Sequence, residues 1–254
     1  MRTAVWTESV SVLDRVTAVF EAFREHDDGL GVSELARRAN LPKSTVSRIA
    51  ADLVVQRLLD RDGDKLYLGV RLFELGQTVE QPRMLRQLAL PVMTDLRNVT
   101  GRTVHLAVLE GTDVVFIGIV RGESPAKPLA RVGGRLPAHA TALGKAMLAF
   151  SPPNEVERIA YGGLERRTPN TITEPSSLLH ELADVRRTGI ATEHEECATG
   201  RTCTASPILG HGGMPVAAIS VSGSVEAAAP DRSAAMVRAA AITLSHRIND
   251  DRNH

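Results

Sequence analysis

Ser220, Ser222, His139 and Glu193 are the side chains of this sequence that most resemble the parts of a hydrolase site. A serine becomes a nucleophile when a neighbouring base takes its proton and a third group orients that base. The sequence has no Gly-x-Ser-x-Gly turn to expose such a serine, and no spacing pairs a serine with a base. A serine on a half-buried strand is more often simply hydrogen-bonded there. We therefore predict no catalytic site and no enzymatic function.

Gly144-Lys145 resembles the end of a phosphate-binding P-loop. That loop also needs a glycine five residues before Gly144 and a serine or threonine after the lysine, because backbone N–H groups and a hydroxyl must cradle the phosphates and their metal. The chain has His139 and Ala146 at these two positions. The pair therefore does not indicate a nucleotide site.

The residues whose types could serve as metal ligands are His194, Cys197 and Cys203. Their spacing matches no zinc pattern, and a second Cys-x-x-Cys or histidine pair is missing. We predict no metal and no other cofactor, with Cys203 in a core or pocket wall. His105, on an apolar strand, is predicted to be a core histidine rather than a ligand contact. Two cysteines form no disulfide framework, which fits a reducing cytoplasm.

A different kind of chemistry is indicated near the N-terminus, where polar residues occupy one side of a predicted helix. Such residues reach phosphates and base edges when the start of a recognition helix enters the major groove of DNA. The predicted contacts at the groove are Lys43, Ser44, Thr45, Ser47 and Arg48.

Two short helices must position that polar face. In the first, Leu35, Ala36 and Ala39 share a side, with Ser33 as the candidate N-cap. The first helix is predicted to end at Asn40-Leu41-Pro42, because asparagine tolerates the left-handed conformation and proline cannot continue the preceding helix. In the second helix, a buried side is predicted from the spacing of Val46, Ile49, Ala50 and Leu53. By itself this pattern fits either a helix-turn-helix or a solvated helical hairpin.

The following hairpin favours the helix-turn-helix. Asp62-Gly63 is a strong turn signal between Leu58–Arg61 and Lys65–Leu68, so the segment predicts the wing of a winged helix. Arg61 and Lys65 at the wing tip are predicted to contact the DNA backbone or minor groove. The residues Arg37 and Arg38 are predicted to bind the DNA backbone as anchoring contacts.

Composition excludes several classes of protein. The 254 residues can form two domains, and 43% apolar residues can supply their cores. Only 3% are aromatic, which argues against stacking platforms for single-stranded nucleic acid. The net charge is zero, so a local basic face suits a site-specific binder rather than a protein that coats nucleic acid. With no signal-peptide core and no apolar run long enough to span a bilayer, we predict a cytoplasmic protein without a membrane partner.

The rest of the chain predicts an α+β domain. We place the DNA-binding domain at 1–70, a linker helix at 71–82 that Pro82 interrupts, and the larger domain at 83–254. Its predicted elements are a helix over about 84–99 with a kink or start at Pro91, strands at 103–109, 114–120 and 129–132, helices at about 141–150, 154–160 and 178–185, strands at 190–193, 202–208 and 216–221, and a last helix at 231–249.

The sequence resembles the IclR-type transcriptional regulators over nearly its whole length. The resemblance rests on motifs that occur in the same order. They are Ser33-Glu34-Leu35-Ala36, Leu41-Pro42-Lys43-Ser44-Thr45-Val46 with Arg48, Tyr67-Leu68-Gly69, Arg131-Val132-Gly133, 136–146, 167–173, Glu195-Glu196 and 217–223. The resemblance implies a winged helix-turn-helix joined to a GAF-like effector domain, a homodimer or dimer of dimers, double-stranded operator DNA as a partner, and a small-molecule effector.

The family's effector pocket can be transferred motif by motif. The residues implied are Ala142, Leu143, Glu193, Cys203, Ser220 and Ser222. The N–H groups at a helix start can bind a carboxylate, and alternate serines on one strand share a face, so the implied set is chemically sensible. Two positions depart from the family pattern. Glu193 stands where aspartate is frequent, and Arg201 stands where apolar residues are frequent. Arg201 could pair with Glu193, bind an acidic ligand or face solvent.

We interpret the chain as a ligand-responsive transcriptional regulator, a repressor in preference to an activator, whose effector is a small organic acid or aromatic catabolite. The alternative from another class is a sensor whose helices contact only proteins. A hydrolase is the weaker alternative. Salt dependence separates the first two, because a DNA binder loses affinity in proportion to the phosphates that it contacts.

Overall fold

The structure is a computed structural model, and it describes residues 11–23, 28–123, 129–225 and 230–251. The chain divides into two compact units, residues 1–80 and 81–254. Each unit has its own hydrophobic cluster or clusters, and each is described separately below.

The first unit is a helical core with a small sheet. Its elements are α1 (Val12–Glu21), β1 (Leu30–Gly31), α2 (Val32–Ala39), α3 (Lys43–Val55), β2 (Leu59–Asp62), β3 (Lys65–Leu68) and α4 (Val70–Gln77). Ser11 caps α1 in a reciprocal pair of hydrogen bonds with Asp14.

The break between α2 and α3 has the predicted geometry. Asn40 ends α2 with a φ of 52°, in the left-handed region, and Pro42 is the residue before α3. The apolar side of α3 is buried as its spacing predicts (Val46, Ile49, Ala50 and Leu53). The prediction for Ser33 was wrong. Gly31 occupies the N-cap without a side-chain hydrogen bond, and Ser33 lies exposed in the first turn of α2.

The wing is present. β2 and β3 pair antiparallel with Asp62 opposite Lys65, and Gly63 has a φ of 57° between them. β1 pairs with the other side of β3, giving the order β1-β3-β2. The sequence did not predict β1, because two residues are too few to show an alternating pattern.

The second unit combines helices with one long sheet. Its elements are α5 (Glu80–Thr100), β4 (Thr103–Glu110), β5 (Asp113–Val120), β6 (Arg135–Pro137), α6 (Ala142–Leu148), α7 (Pro153–Tyr161), α8 (Pro175–Thr188), β7 (Ala191–His194), β8 (Arg201–Leu209), β9 (Pro215–Ser224) and α9 (Pro230–Asp251). The strands form an antiparallel sheet in the order β6-β5-β4-β9-β8-β7.

Helices cover both faces of this sheet. One face carries Ala107, Ala205 and Ala218, which pack with buried residues of α6, α7 and α8. The opposite face carries Leu106 and Ile219, which pack with α5 and α9. The winged helix-turn-helix, followed in the sequence by this sheet with its helices, confirms the predicted α+β fold with a GAF-like second part.

Two predicted details of the second unit were wrong. Residues 129–132 form no strand, and the strand in this region is β6, beyond a turn in which Gly133 has a φ of 80°. Pro82 does not interrupt a helix, because it is the third residue of α5, where a missing N–H costs no intrahelical bond. α5 continues through Pro91, so no helix starts there, and the alternative of a kink at Pro91 stays a prediction.

Candidate functional site

The polar side of α3 is open to solvent. Lys43, Ser44, Ser47 and Arg48 are exposed and Thr45 is partly exposed, on the side of the helix that the core leaves uncovered. Lys43 is the first residue of the helix, so the polar residues lie in its first two turns. This is the part of a recognition helix that reaches base edges when it enters the major groove.

Arg37 and Arg38 lie on α2 and are engaged within that helix. Glu34 accepts two hydrogen bonds from the Arg37 guanidinium, at 2.9 and 2.6 Å, and one from Arg38 at 2.7 Å. These arginine contacts lower the pKa of Glu34 to about 2, so its carboxylate is ionised throughout the physiological range. The basic face that the sequence predicts is therefore partly neutralised by Glu34.

The two basic residues of the wing, Arg61 and Lys65, differ in their contacts. Arg61 is exposed on β2. Lys65 is also exposed, but its ammonium donates a hydrogen bond of 2.9 Å to the carbonyl of Asp28. Lys65 therefore fastens the wing to the segment before β1, and of these two residues Arg61 is the better placed for an outside partner.

In the second unit, the strand register brings polar residues into rows across the sheet. His105 on β4 lies opposite Ser220 on β9, and Ser220 lies opposite Ala205 on β8. Two residues further along, Ser222 lies opposite both Thr103 and Cys203. Because side chains alternate between faces, both rows belong to one face of the sheet.

Two charged positions extend these rows. Glu193 on β7 lies opposite Cys203 and completes the second row. Arg201 lies two residues before Cys203 on β8, opposite Ser224, and so begins a third row on the same face.

A cavity of about 110 Å³ lies on this face. All six residues that the family resemblance implied, at positions 142, 143, 193, 203, 220 and 222, line it. Apolar side chains form much of the remaining wall, among them Phe116, Ile119 and Leu136. The volume is of the order of the roughly 150 Å³ cavities that hold a single benzene ring.

α6 is held close to the cavity by a tight turn. The Thr141 hydroxyl accepts the N–H of Gly144 at 3.1 Å and caps the helix. Gly144 has no room for a side chain, since a Cβ there would lie 2.1 Å from the carbonyl oxygen of Ala138. The glycine therefore permits the close approach that brings Ala142 and Leu143 to the cavity.

The surroundings of Lys145, the next residue, do not fit a phosphate-binding role. Its side chain is fully buried, and its ammonium contacts the carboxylates of Glu181 and Glu196. The distance to Glu196 is 2.7 Å. The sequence showed no sign of this cluster, because its members come from α6, α8 and the loop after β7.

The Glu193 carboxylate is built into the same loop. Its Oε1 accepts the N–H groups of Glu196, at 2.7 Å, and of Cys197, at 3.1 Å. The side chain is buried, and burial is the main cause that raises its pKa to about 7. Glu193 can therefore change protonation state near neutral pH.

Ser220 lies in the wall of the cavity and is fully buried. The Cys203 thiol, a weak hydrogen-bonding group, lies beside its Oγ, and no stronger partner meets that hydroxyl in the described part of the chain. A ligand that supplied a stronger hydrogen bond to this buried hydroxyl would therefore be stabilised there.

His105, Arg121 and Arg201 also line the cavity. His105 stacks edge-on against Phe116, and burial, with both arginines, lowers its pKa to about 4. It is therefore neutral at physiological pH. His105 was predicted to be a core histidine, and three environments were left open for Arg201. No sequence signal placed His105 in the cavity wall, because the register between β4 and β9 decides that it shares a face with Ser220.

Both cysteines belong to this region, and burial raises the thiol pKa of Cys197 to about 11 and of Cys203 to about 12. Both are therefore protonated at neutral pH. Within residues 11–23, 28–123, 129–225 and 230–251, no three histidine, cysteine or acidic side chains are grouped to hold a metal ion. None of the described helices is long and apolar enough to cross a membrane.

Two bacterial transcriptional regulators are similar to this chain over most of its length. The transcriptional repressor IclR of Escherichia coli (strain K12) is 32% identical over 235 residues, which are 91% of this chain and 86% of that protein. The HTH-type transcriptional regulator XynR of the same strain is 31% identical over 216 residues, which are 84% of this chain and 86% of that protein.

Solved structures resemble the whole chain as well. An IclR homologue from Microbacterium hydrocarbonoxydans in complex with 4-hydroxybenzoate has a TM-score of 0.85 and 33% identity, and the match covers 94% of this chain and 99% of that one. The IclR of Thermotoga maritima has a TM-score of 0.73 and 30% identity, covering 93% of this chain and 98% of the other.

Family assignments cover both units. Residues 12–63 match the IclR helix-turn-helix domain. Residues 77–246 match the family described as bacterial transcriptional regulator IclR C-terminal. The chain therefore belongs to the IclR family of bacterial transcriptional regulators.

Proposed function

We propose that this chain is a ligand-responsive repressor that binds operator DNA through α3 and changes its DNA affinity when a small organic acid or aromatic compound occupies the sheet cavity. The observation that carries the proposal is the exposed polar side of α3, whose opposite side is buried in the core. The 4-hydroxybenzoate held by a solved relative of 33% identity supports an effector of this size.

The DNA-binding residues divide by position. Lys43, Ser44, Thr45, Ser47 and Arg48 face the major groove. Arg61 on the wing contacts the phosphate backbone. Arg37 and Arg38 contact the phosphate backbone only when phosphate displaces the Glu34 carboxylate, which binds both guanidiniums. Lys65 contributes mainly by fixing the wing.

The regulator acts as a homodimer, or as a dimer of such dimers. α4 has no buried residue, and Val70 and Phe73 on it are 66% and 65% exposed. Val70 and Phe73 are three residues apart, so they neighbour each other on the helix, and contiguous exposed apolar patches are typical of association surfaces. A two-fold dimer binds a pseudo-palindromic operator, because protein symmetry is matched by the half-sites.

The test uses an operator duplex selected by the wild-type protein from a random-sequence library. Replacing Lys43 and Arg48 by alanine should weaken binding at least about tenfold, since a good base or phosphate contact contributes about 1–3 kcal/mol. Fluorescence anisotropy across a salt series should also show a shallower salt dependence, because about 0.9 counterions are released per phosphate contacted.

Arg187→Ala is the matched control, because it removes an exposed arginine from α8 in the second unit. Its operator affinity should equal that of the wild type. If the Lys43/Arg48 variant bound the operator as tightly as the wild type, the assignment of α3 as the recognition helix would be contradicted. Bulky residues at Ser220 and Ser222 should abolish the ligand response and leave DNA binding intact, and a retained response would place the effector elsewhere.

A further inference from the structure

The helix α3 ends in a Schellman motif. The N–H of Leu58 donates to the Leu53 carbonyl at 2.9 Å. The N–H of Arg57 donates to the Val54 carbonyl, also at 2.9 Å. Arg57 has a φ of 58°, which is the left-handed backbone that this motif requires. The motif does not use the carbonyl of Gln56, the C-cap residue, so this carbonyl can accept a hydrogen bond from another element.

Arg71, in the first turn of α4, supplies that hydrogen bond. Its Nη1 donates to the Gln56 carbonyl oxygen at 2.8 Å. The partial negative charge at the C-terminus of a helix favours a guanidinium in this place. The N–H of Gly69, at the N-cap of α4, donates to the carbonyl of Leu58 at 2.9 Å. Two hydrogen bonds therefore join the end of α3 to the start of α4.

The backbone at Gly69 also passes very close to the backbone that follows α3. A Cβ at position 69 would lie 2.3 Å from the carbonyl oxygen of Arg57, so only glycine permits this approach. We call Gln56, Arg57, Leu58, Gly69 and Arg71 together the α3–α4 joint.

Packing does not hold α4 against the first unit. No residue of α4 is buried, and no α4 side chain belongs to the hydrophobic cluster formed by the described residues of that unit. In the same described part of the chain, the hydrogen bonds that link α4 and its N-cap to the preceding elements are the two in the joint. The joint therefore determines the angle between α4 and α3 within one protomer.

This angle decides where the polar end of α3 lies in a dimer that associates through α4. α3 has 13 residues, so Lys43 lies about 18 Å from the joint, at about 1.5 Å per residue. A tilt of about 10° would displace that end by about 3 Å, which is close to the rise of roughly 3.4 Å per base pair. In a two-fold dimer both ends are displaced, and the distance between them must match the half-site spacing.

We propose that Arg71 is a positioning residue whose hydrogen bond to the end of α3 sets the half-site spacing that the dimer accepts. This inference rests on the proposed function, because it takes α3 to be the recognition helix and α4 to form the dimer contact. Arg71 acts on DNA recognition through the angle of α3, and no base contact is assigned to it.

The test measures DNA affinity of the full chain by fluorescence anisotropy. The duplexes are the operator selected by the wild type, the same half-sites separated by one base pair more or one fewer, and a single half-site at low salt. The spacing ratio is the affinity for the selected spacing divided by that for the better of the two altered spacings. The wild type should have a ratio of about tenfold or more, because a half-site out of register loses base contacts.

Arg71→Met should lower the spacing ratio severalfold and bind the single half-site like the wild type, because it leaves the side chains of α3 unchanged. Arg71→Lys keeps a positive charge and an N–H donor, so it should restore part of the ratio. Gly69→Ala should also lower the ratio, because its Cβ forces the joint to open. Arg187→Met removes an exposed arginine of the second unit and should leave the ratio unchanged.

The outcomes separate this inference from the function on which it rests. If the library yields no operator with two half-sites, the proposed dimeric regulator is contradicted, and the inference fails with it. With such an operator, an unchanged spacing ratio in Arg71→Met, or a wild type that binds all spacings equally, overturns the inference alone. An equal loss of affinity for every duplex, with a salt slope shallower by roughly 0.9, would mean that Arg71 contacts a phosphate, and this result also overturns it.

Discussion

The ammonium group of Lys145 lies 2.7 Å from the carboxylate of Glu196, in a place that is closed to solvent. The N–H of Glu196 in turn donates to Glu193, which lines the cavity. The hydroxyls of Thr168 and Thr171 donate to the carbonyl of Glu196. One residue of the loop after β7 therefore connects the cavity wall to α6.

Loss of the Lys145 charge is expected to destabilise the second unit strongly. Lys145→Met keeps the length and apolar stem of the side chain but leaves Glu196 buried without its cation. Removing one partner of a buried pair costs about 3–5 kcal/mol, because the remaining charge is uncompensated. Urea unfolding read by hydrogen-exchange mass spectrometry measures the free energy of unfolding for α6 and α8 separately from the first unit.

Lys65→Met is the control for this measurement. It makes the same chemical change at an exposed lysine whose ammonium contacts one carbonyl. Its effect on the free energy of unfolding should stay below about 1 kcal/mol, as for most surface interactions. Equal effects of the two substitutions would contradict a structural role for the buried cluster.

Stability should depend on pH through Glu193. Its folded pKa of about 7 lies above the ordinary value of 4.5. Between these values the folded chain binds more protons than the unfolded chain, so the unfolding free energy falls as pH rises. The stability lost over this pH range corresponds to about 3 kcal/mol, at roughly 1.4 kcal/mol per pKa unit. The loss is complete above about pH 7.

Glu193→Gln removes this titration and keeps an oxygen to accept the two N–H groups. The variant should gain stability relative to the wild type as pH rises from about 5 to 8, in urea titrations at each pH. His105 acts in the opposite sense, because its lowered pKa makes stability fall as pH drops below about 6.5. Comparison of wild type with Glu193→Gln cancels that contribution, since both contain His105. A pH-independent difference would show that Glu193 does not titrate in this window.

The sequence predicted the fold best where local rules are strong. Asn40 and Gly63 adopt the left-handed backbone that their residue types favour, and the spacing of Val46 and Leu53 matches their burial. It failed where position overrides a local rule. Pro82 lies in the first turn of α5, where a missing N–H costs no intrahelical bond, so it does not interrupt a helix.

The candidate site shows the same division. The family motifs directed attention to Glu193, Ser220 and Ser222, which the strand register then places in adjacent rows. Arg121 and the Lys145 cluster had no sequence signal, because their neighbours are distant in the chain. Register between strands decides such contacts, and one residue of shift would reverse every face.

Gly144 should not tolerate alanine. A Cβ at this position would lie 2.1 Å from the Ala138 carbonyl oxygen, so the backbone must move, at a cost of about 1–3 kcal/mol. Gly76→Ala in α4 is the matched control, because nothing lies within 4 Å of its Cβ. That change should stabilise its helix by up to about 1 kcal/mol. Calorimetric melting of both variants checks the opposite signs, and a stable Gly144→Ala chain would contradict the close approach of α6.

Glu34 partly neutralises the two arginines of α2. Glu34→Gln removes the carboxylate that binds Arg37, so the Arg37 guanidinium becomes available to phosphate. Operator affinity should rise severalfold, and the slope of affinity against salt should steepen by up to about 1, at roughly 0.9 per phosphate contacted. Glu157→Gln makes the same charge change at an exposed residue of α7 in the second unit, and it should alter affinity less and leave the slope unchanged. An equal change in the two variants would mean that net charge alone is responsible and that Arg37 does not reach the DNA.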